Sequence, residues 1–141
     1  MNVVTKTAYK QSIEVDLPLS KSEGVRALIS YYILLRGRGD SRMPSRDLFG
    51  ADAPEDLYAI YDGLQALLSG QSDIRLTASA SVARFLLALA AAVTRITVFH
   101  LTNTQLRRRP MGPLIDYLRR CGVTIDITDD RWIVDARRSS V

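Results

Sequence analysis

Residues 122–135, "GVTIDITDDRWIVD", read as a β-hairpin, and the fold follows from working outward from it. Val123, Ile125 and Ile127 alternate with Thr124, Asp126 and Thr128, the period-two pattern of a strand with one buried face. Asp129-Asp130 form a turn, and residues 131–135 return as a second strand. Just upstream, Met111, Leu114, Ile115, Leu118 and Cys121 recur at helical spacing after Pro110, and Gly122 closes that helix. Residues 95–100 are a β-rich strand, preceded by a helix face of Val82, Phe85, Leu86, Leu89 and Val93. Ile74 and Leu76 mark a short strand before it. Residues 73–135 therefore spell β-α-β-α-β-β.

The upstream half spells a trimmed version of the same unit. Ile13, Val15 and Leu17 alternate with polar neighbours, giving a half-buried strand. Val25, Leu28, Ile29, Tyr32 and Ile33 predict a helix over about 21–35. The polar, Gly-rich segment at 36–50 reads as a loop with a short strand near 47–49. A second helix is expected to start at Pro54, with Leu57, Ile60, Tyr61, Leu64, Leu67 and Leu68 on its inner face and Gly70 ending it. Residues 12–70 thus read as β-α-(short β)-α, without the closing hairpin. The expectation is an α+β fold: a mixed sheet with helices packed on one face, built from about two β-α-β-α-β-β units. Residues 1–136 are expected to form a single domain or lobe, with units at about 12–70 and 73–135 and a frayed tail at 137–141.

Composition narrows the function without naming it. The 141 residues are 47% hydrophobic and 24% charged, a balance that favours a packed core over disorder. A net charge of +4 and a pI near 9.5, carried mostly by arginine, favour an anionic partner. Cys121 is the only cysteine and His100 the only histidine, which argues against an intrachain disulfide and a thiolate or His-based metal site. No signal-peptide core and no membrane-length apolar run is seen, so the expected location is the cytoplasm, with no membrane partner.

Three helix starts carry candidate chemistry. In "LPLSKSEGVRALIS" (17–30), Ser20 with Glu23 makes a capping box, which accounts for the tetrapeptide by itself. The same helix start can bind an anion, with Lys21, Ser22 and Arg26 adding charge and a hydroxyl. In "LTASASVARFLLA" (76–88), small residues at a strand-to-helix turn either pack tightly or admit a ligand to the backbone, and Arg84 is hard to place on an apolar face. In "QLRRRPMGPLIDYLRRCG" (105–122), Arg107, Arg108 and Arg109 crowd a helix start, where the dipole disfavours cations unless an anion is near. A solvated charge run is the ordinary explanation.

Together these segments resemble the 3-phosphoshikimate 1-carboxyvinyltransferases, or EPSP synthases. "LPLSKSEGVRALI" is similar to that family's LPxSKSxxxRALL, "ASASVARFLLALAA" to NAGTAMRFLTA, and "LTNTQLRRRPMGPLIDYLRRCGVTI" to LTGxxRMxxRPIxxLVDALRxLGAxI. Order and spacing agree from about residue 11 to 128, whereas the related UDP-N-acetylglucosamine enolpyruvyl transferases lack the Ser-Lys-Ser…Arg pattern. The resemblance implies β-α-β-α-β-β units arranged in two lobes, of which this chain holds roughly two units, about a third of the family's length. It implies transfer of the enolpyruvyl group of phosphoenolpyruvate to the 5-hydroxyl of shikimate 3-phosphate in aromatic amino-acid biosynthesis, with no metal or cofactor. By motif position Lys21 would contact phosphoenolpyruvate and both substrates, Ser22 and Arg26 would bind the shikimate side, and Arg109 would bind phosphoenolpyruvate. Ala80 and Ser81 would line the phosphoenolpyruvate pocket, supported by Arg84.

There are departures from the family. Its Asn-Ala-Gly-Thr is Ala78-Ser79-Ala80-Ser81 here, Glu23 replaces a small uncharged residue, Asn103 stands for a glycine, and the hairpin lacks Gly-Tyr-Pro-Pro. No catalytic carboxylate of the other lobe is expected in this chain, so the chain alone is predicted inactive. The alternative is a non-catalytic phosphate-binding module that retains the fold. An RNA-binding domain is a third reading, disfavoured because the aromatics do not alternate with basic residues along strands, so no nucleic-acid partner is expected. Surface normally covered by the other lobe would favour self-association.

Overall fold

A computed structural model describes residues 2–6, 12–16, 20–50, 52–77, 79–102, 106 and 111–140. The first two strands, β1 (Asn2–Lys6) and β2 (Ser12–Asp16), pair antiparallel, with Asn2 opposite Asp16 and Lys6 opposite Ser12. The pattern at 12–17 predicts the second of these strands but gives no sign of the first.

Helix α1 (Lys21–Gly37) buries Gly24, Val25, Leu28 and Tyr32 against helix α2 (Glu55–Leu68). Ile33, expected on the inner face, is 58% exposed, and Tyr31 and Leu34 are also exposed on that outward side. Among the described residues the only helix that α1 packs against at length is α2, so its covered stripe is narrow. Where a short strand was expected near 47–49, the chain makes one 3₁₀ turn (Arg46–Leu48) after Ser45, whose Oγ accepts from the Asp47 N–H. The loop around it is held by side chains of α2. Gln65 accepts from the Met43 N–H at 2.7 Å and donates to the Ser41 carbonyl at 2.9 Å, and Phe49 packs edge-on against Tyr58 and Tyr61. Pro54 caps α2 instead of opening its first turn, one residue from expectation.

The second half is the expected unit. Strand β3 (Asp73–Leu76), helix α3 (Ala80–Ala91), strand β4 (Ile96–Leu101), helix α4 (Gly112–Arg120) and the hairpin β5 (Thr124–Ile127) and β6 (Arg131–Asp135) follow in order. The four strands form one mixed sheet in the order β3-β4-β6-β5, parallel between β3 and β4 and antiparallel across the other two pairings. The crossover through α4 thus leaves a one-strand gap between β4 and β5, and β6 fills it. Gly122 makes the turn into β5 with φ of +89°, a conformation that a side chain disfavours.

Alternation along the strands puts one face of the sheet inward. Ile74, Leu76, Thr97, Phe99, Leu101, Ile125, Trp132 and Val134 are buried, and their registers bring Phe99 opposite Trp132 and Ile125 opposite Val134. Ile127 is 50% exposed although its parity matches Ile125. Helices α2, α3 and α4 cover the inward face, and Ile60, Leu64, Leu86 and Leu87 at the helix contacts are fully buried. Burial of each such side chain contributes about 1.5–3 kcal/mol. The buried residues form one contiguous cluster from Val25 to Ala136, so the helix starts are held on a common core. Beyond β6, the Ser140 N–H and Oγ both donate to the Cys121 carbonyl at 2.9 Å.

Candidate functional site

Three helix starts meet around one carboxylate. Asp56, in the first turn of α2, is only 9% exposed and pairs with Lys21 Nζ at the first position of α1. It also accepts from Ser79, the residue preceding α3, through the hydroxyl at 3.0 Å and the backbone N–H at 3.5 Å. Burial pushes the Asp56 carboxyl up, but the bonds from Lys21 and Ser79 outweigh it and hold the group below the ordinary aspartate value. An acid in the first turn of a helix is also favoured by the helix dipole.

The bonds of Ser79 change the start of α3. A serine at this position usually accepts from a first-turn amide, satisfying one of the orphan donors of a helix N-terminus. Here the hydroxyl donates to Asp56, and Ser79 makes no side-chain cap. Helix α1, by contrast, is closed by a complete capping box. Ser20 Oγ accepts from the Glu23 N–H at 3.3 Å, and Glu23 Oε2 accepts from the Ser20 N–H at 3.0 Å. Those bonds to Ser20, helped by Arg26, lower the Glu23 carboxyl. Glu23 is therefore turned back on its own helix end and is absent from the cleft lining.

Beside this junction lies a cleft of about 410 Å³ between α1 and α3, lined by Lys21, Ser22, Val25, Arg26, Ser81, Val82, Arg84 and Phe85. Five of the residues singled out from sequence, Lys21, Ser22, Arg26, Ser81 and Arg84, thus share one cavity. Three cations, two hydroxyls and an uncapped helix start surround a space of small-molecule size, an arrangement that suits an anion. Ala80 does not line the cleft; it is half-buried and packs on the core. Arg109 and Ala78 lie outside the described residues, as do Arg107 and Arg108.

Sequence reasoning missed Asp56 and Phe85 as members of this region, and it placed Ser79 in the turn before α3 without its bond to Asp56. Asp56 gives no signal of its own, since an acid after a proline is ordinary for a helix start. Phe85 was expected in the core but is 44% exposed and forms part of the cleft wall. Among the described residues there is no group of three or more His, Cys, Asp or Glu that could hold a metal, and no helix is long and apolar enough to cross a membrane.

The family model of EPSP synthase (3-phosphoshikimate 1-carboxyvinyltransferase) matches residues 51–138. The matched segment includes Asp56, the start of α3 and the whole β-α-β-α-β-β unit, while Lys21, Ser22 and Arg26 precede it. Searches of curated proteins and of solved structures gave no match. The match extends over well over half of the chain and coincides with the unit that builds the sheet, and on that basis the chain belongs to the EPSP synthase family.

Proposed function

We propose that the cleft between α1 and α3 binds the phosphorylated substrates of an enolpyruvyl transfer, shikimate 3-phosphate and phosphoenolpyruvate, and that these 141 residues by themselves do not turn them over. The observation that carries this reading is the convergence of Lys21, Ser22 and Arg26 from one helix with Ser81 and Arg84 from another, in a chain of this family. Lys21 and Arg26 would neutralise phosphate or carboxylate charge, the two serines would donate hydrogen bonds, and Arg84 would support the turn that opens α3. Arg109 would add a further cation for phosphoenolpyruvate. Transfer of the enolpyruvyl group also needs proton donation and removal, and the carboxylates of Asp56 and Glu23 are already engaged. Asp56 holds Lys21 and Ser79, and Glu23 caps α1. That engagement supports the second reading, a non-catalytic module that retains anion binding.

Titration with shikimate 3-phosphate tests the binding. Lys21→Ala or Arg26→Ala is expected to weaken it by roughly ten-fold or more, the usual effect of losing a charge-assisted contact; unchanged affinity would refute the assignment. Phosphate release from the two substrates with this chain alone is expected to be absent, and clear turnover would overturn that part. The outward side of α1, where Tyr31, Ile33 and Leu34 are exposed, is the proposed surface for self-association, which sedimentation of Ile33→Asp against the parent chain would test.

A further inference from the structure

We propose that Asp56 is the positioning residue of the cleft, holding Lys21 at its rim and drawing the Ser79 hydroxyl away from the first turn of α3, so that this turn's amides stay open to an anion. The effect on ligand affinity rests on the function proposed above; the tether itself does not. Two observations meet at this carboxylate. Asp56 is buried and is absent from the cleft lining, so it does not itself face a ligand there. Each of its partners belongs to a different flank: Lys21 lines the cleft from α1, and Ser79 precedes the α3 turn from which Ser81 lines it.

The alternatives available to these groups show what the tether does. Without the Asp56 charge, the flexible Lys21 side chain has no partner to fix its direction, and its ammonium is free to turn into solvent. The Ser79 hydroxyl, released, sits at the position from which serines ordinarily cap a helix. It would then accept from the α3 amides and compete with any anion for them. Asp56 thus acts through Lys21 and Ser79 without touching the ligand. This contrasts with α1, where Ser20 Oγ takes up the Glu23 amide and Glu23 turns back on the Ser20 N–H. The division of labour is therefore a side-chain-capped start on α1, which contributes side chains, and a start without such a cap on α3, which contributes backbone.

The test uses the full chain and begins without ligand. Per-lysine acylation rates, read by mass spectrometry after brief exposure to acetic anhydride, report how tightly the Lys21 amine is held. Lys21 should react several-fold more slowly in the native chain than in Asp56→Asn, while Lys6 and Lys10 react at the same rates in both. Equal Lys21 rates would overturn the tether. If Asp56→Asn does not fold, the native chain compared with itself in urea serves instead, and a Lys21 rate that does not rise on unfolding is the overturning result. Inorganic phosphate followed by amide shifts at residues 80–82 then reads the effect on the cleft. Asp56→Asn is expected to bind on the order of ten-fold more weakly, and adding Ser79→Ala to it should recover part of that loss. Tighter binding by Asp56→Asn would show Asp56 to be a competitor of the anion and would overturn the positioning role. Phosphate that fails to bind the native chain, with Lys21 still slowed and released by Asp56→Asn, would support the tether and overturn the proposed function.

Discussion

Thr97 illustrates how much a single polar atom weighs in this core. It is fully buried on the helix-covered face of β4, opposite Val134, and its Oγ1 has no hydrogen-bond partner among the described residues. Thr97→Val keeps the branched shape that suits a strand and removes the unsatisfied group, so it should raise stability by about 1 kcal/mol, measurable as a higher urea midpoint; a lower midpoint would show that the hydroxyl has a role. Charge has a different signature. Glu23 and Asp56 are both held below their ordinary values, and Arg137 lowers Asp135 to about 2. For a depressed carboxyl, the stabilisation is present above the unfolded value and lost as the pH falls through the folded one. Stability should therefore decline from roughly pH 4 downward, with the Asp135 contribution persisting to about pH 2. Asp62, raised by burial, works the other way and offsets part of the loss. A urea midpoint at pH 3 equal to that at pH 7 would contradict this balance. Of these residues, Glu23 was legible as a cap from its spacing to Ser20. Asp56 was not, because its role depends on partners from two other helices, and no spacing rule relates residues 21, 56 and 79.

At the scale of elements, the packing of α2 on α3 depends on a glycine. A Cβ at Gly63 would lie 2.7 Å from Leu86 Cδ2 and still closer to Cδ1. Leu86 is buried, so its side chain has little room to give way. In an exposed helix, alanine would be favoured over glycine by about 1 kcal/mol, whereas overpacking a tight core costs about 1–3 kcal/mol. The second effect should win, and Gly63→Ala is expected to lower the thermal midpoint; a rise would mean that the helices can separate cheaply. Elements were the most readable scale in the sequence. The period of two at 123–128 and the helical spacing at 111–121 each reflect a local contrast between a buried and an exposed face. The misreadings have local causes too. Residues 46–48 form a single tight turn held by α2 side chains, and β1 depends on pairing with β2, which its own residues do not advertise. Phe85 and Ile33 fit the period of their helices but fall at the margins of the covered stripes, one beside the cleft and one on the uncovered side of α1.

For the molecule as a whole, the buried cluster runs without a break from α1 to the end of β6. If that continuity governs cooperativity, the helices of the first half and the sheet of the second should unfold together. Trp132, the one tryptophan, is 4% exposed on the inward face of β6 and reports on the sheet, while far-ultraviolet circular dichroism is weighted toward the helices. The two urea transitions are expected to coincide, and an earlier loss of helix signal would divide the chain into separately unfolding parts. The sheet order also bears on how a growing chain can fold. Because β6 lies between β4 and β5, neither of those strands has its partner on that side until residues 131–135 have been made. During synthesis β3 and β4 can pair early, but β5 must wait for the strand that follows it. The sheet therefore closes late and at its middle, and the nascent chain carries an open strand edge, prone to mispairing, until β6 arrives.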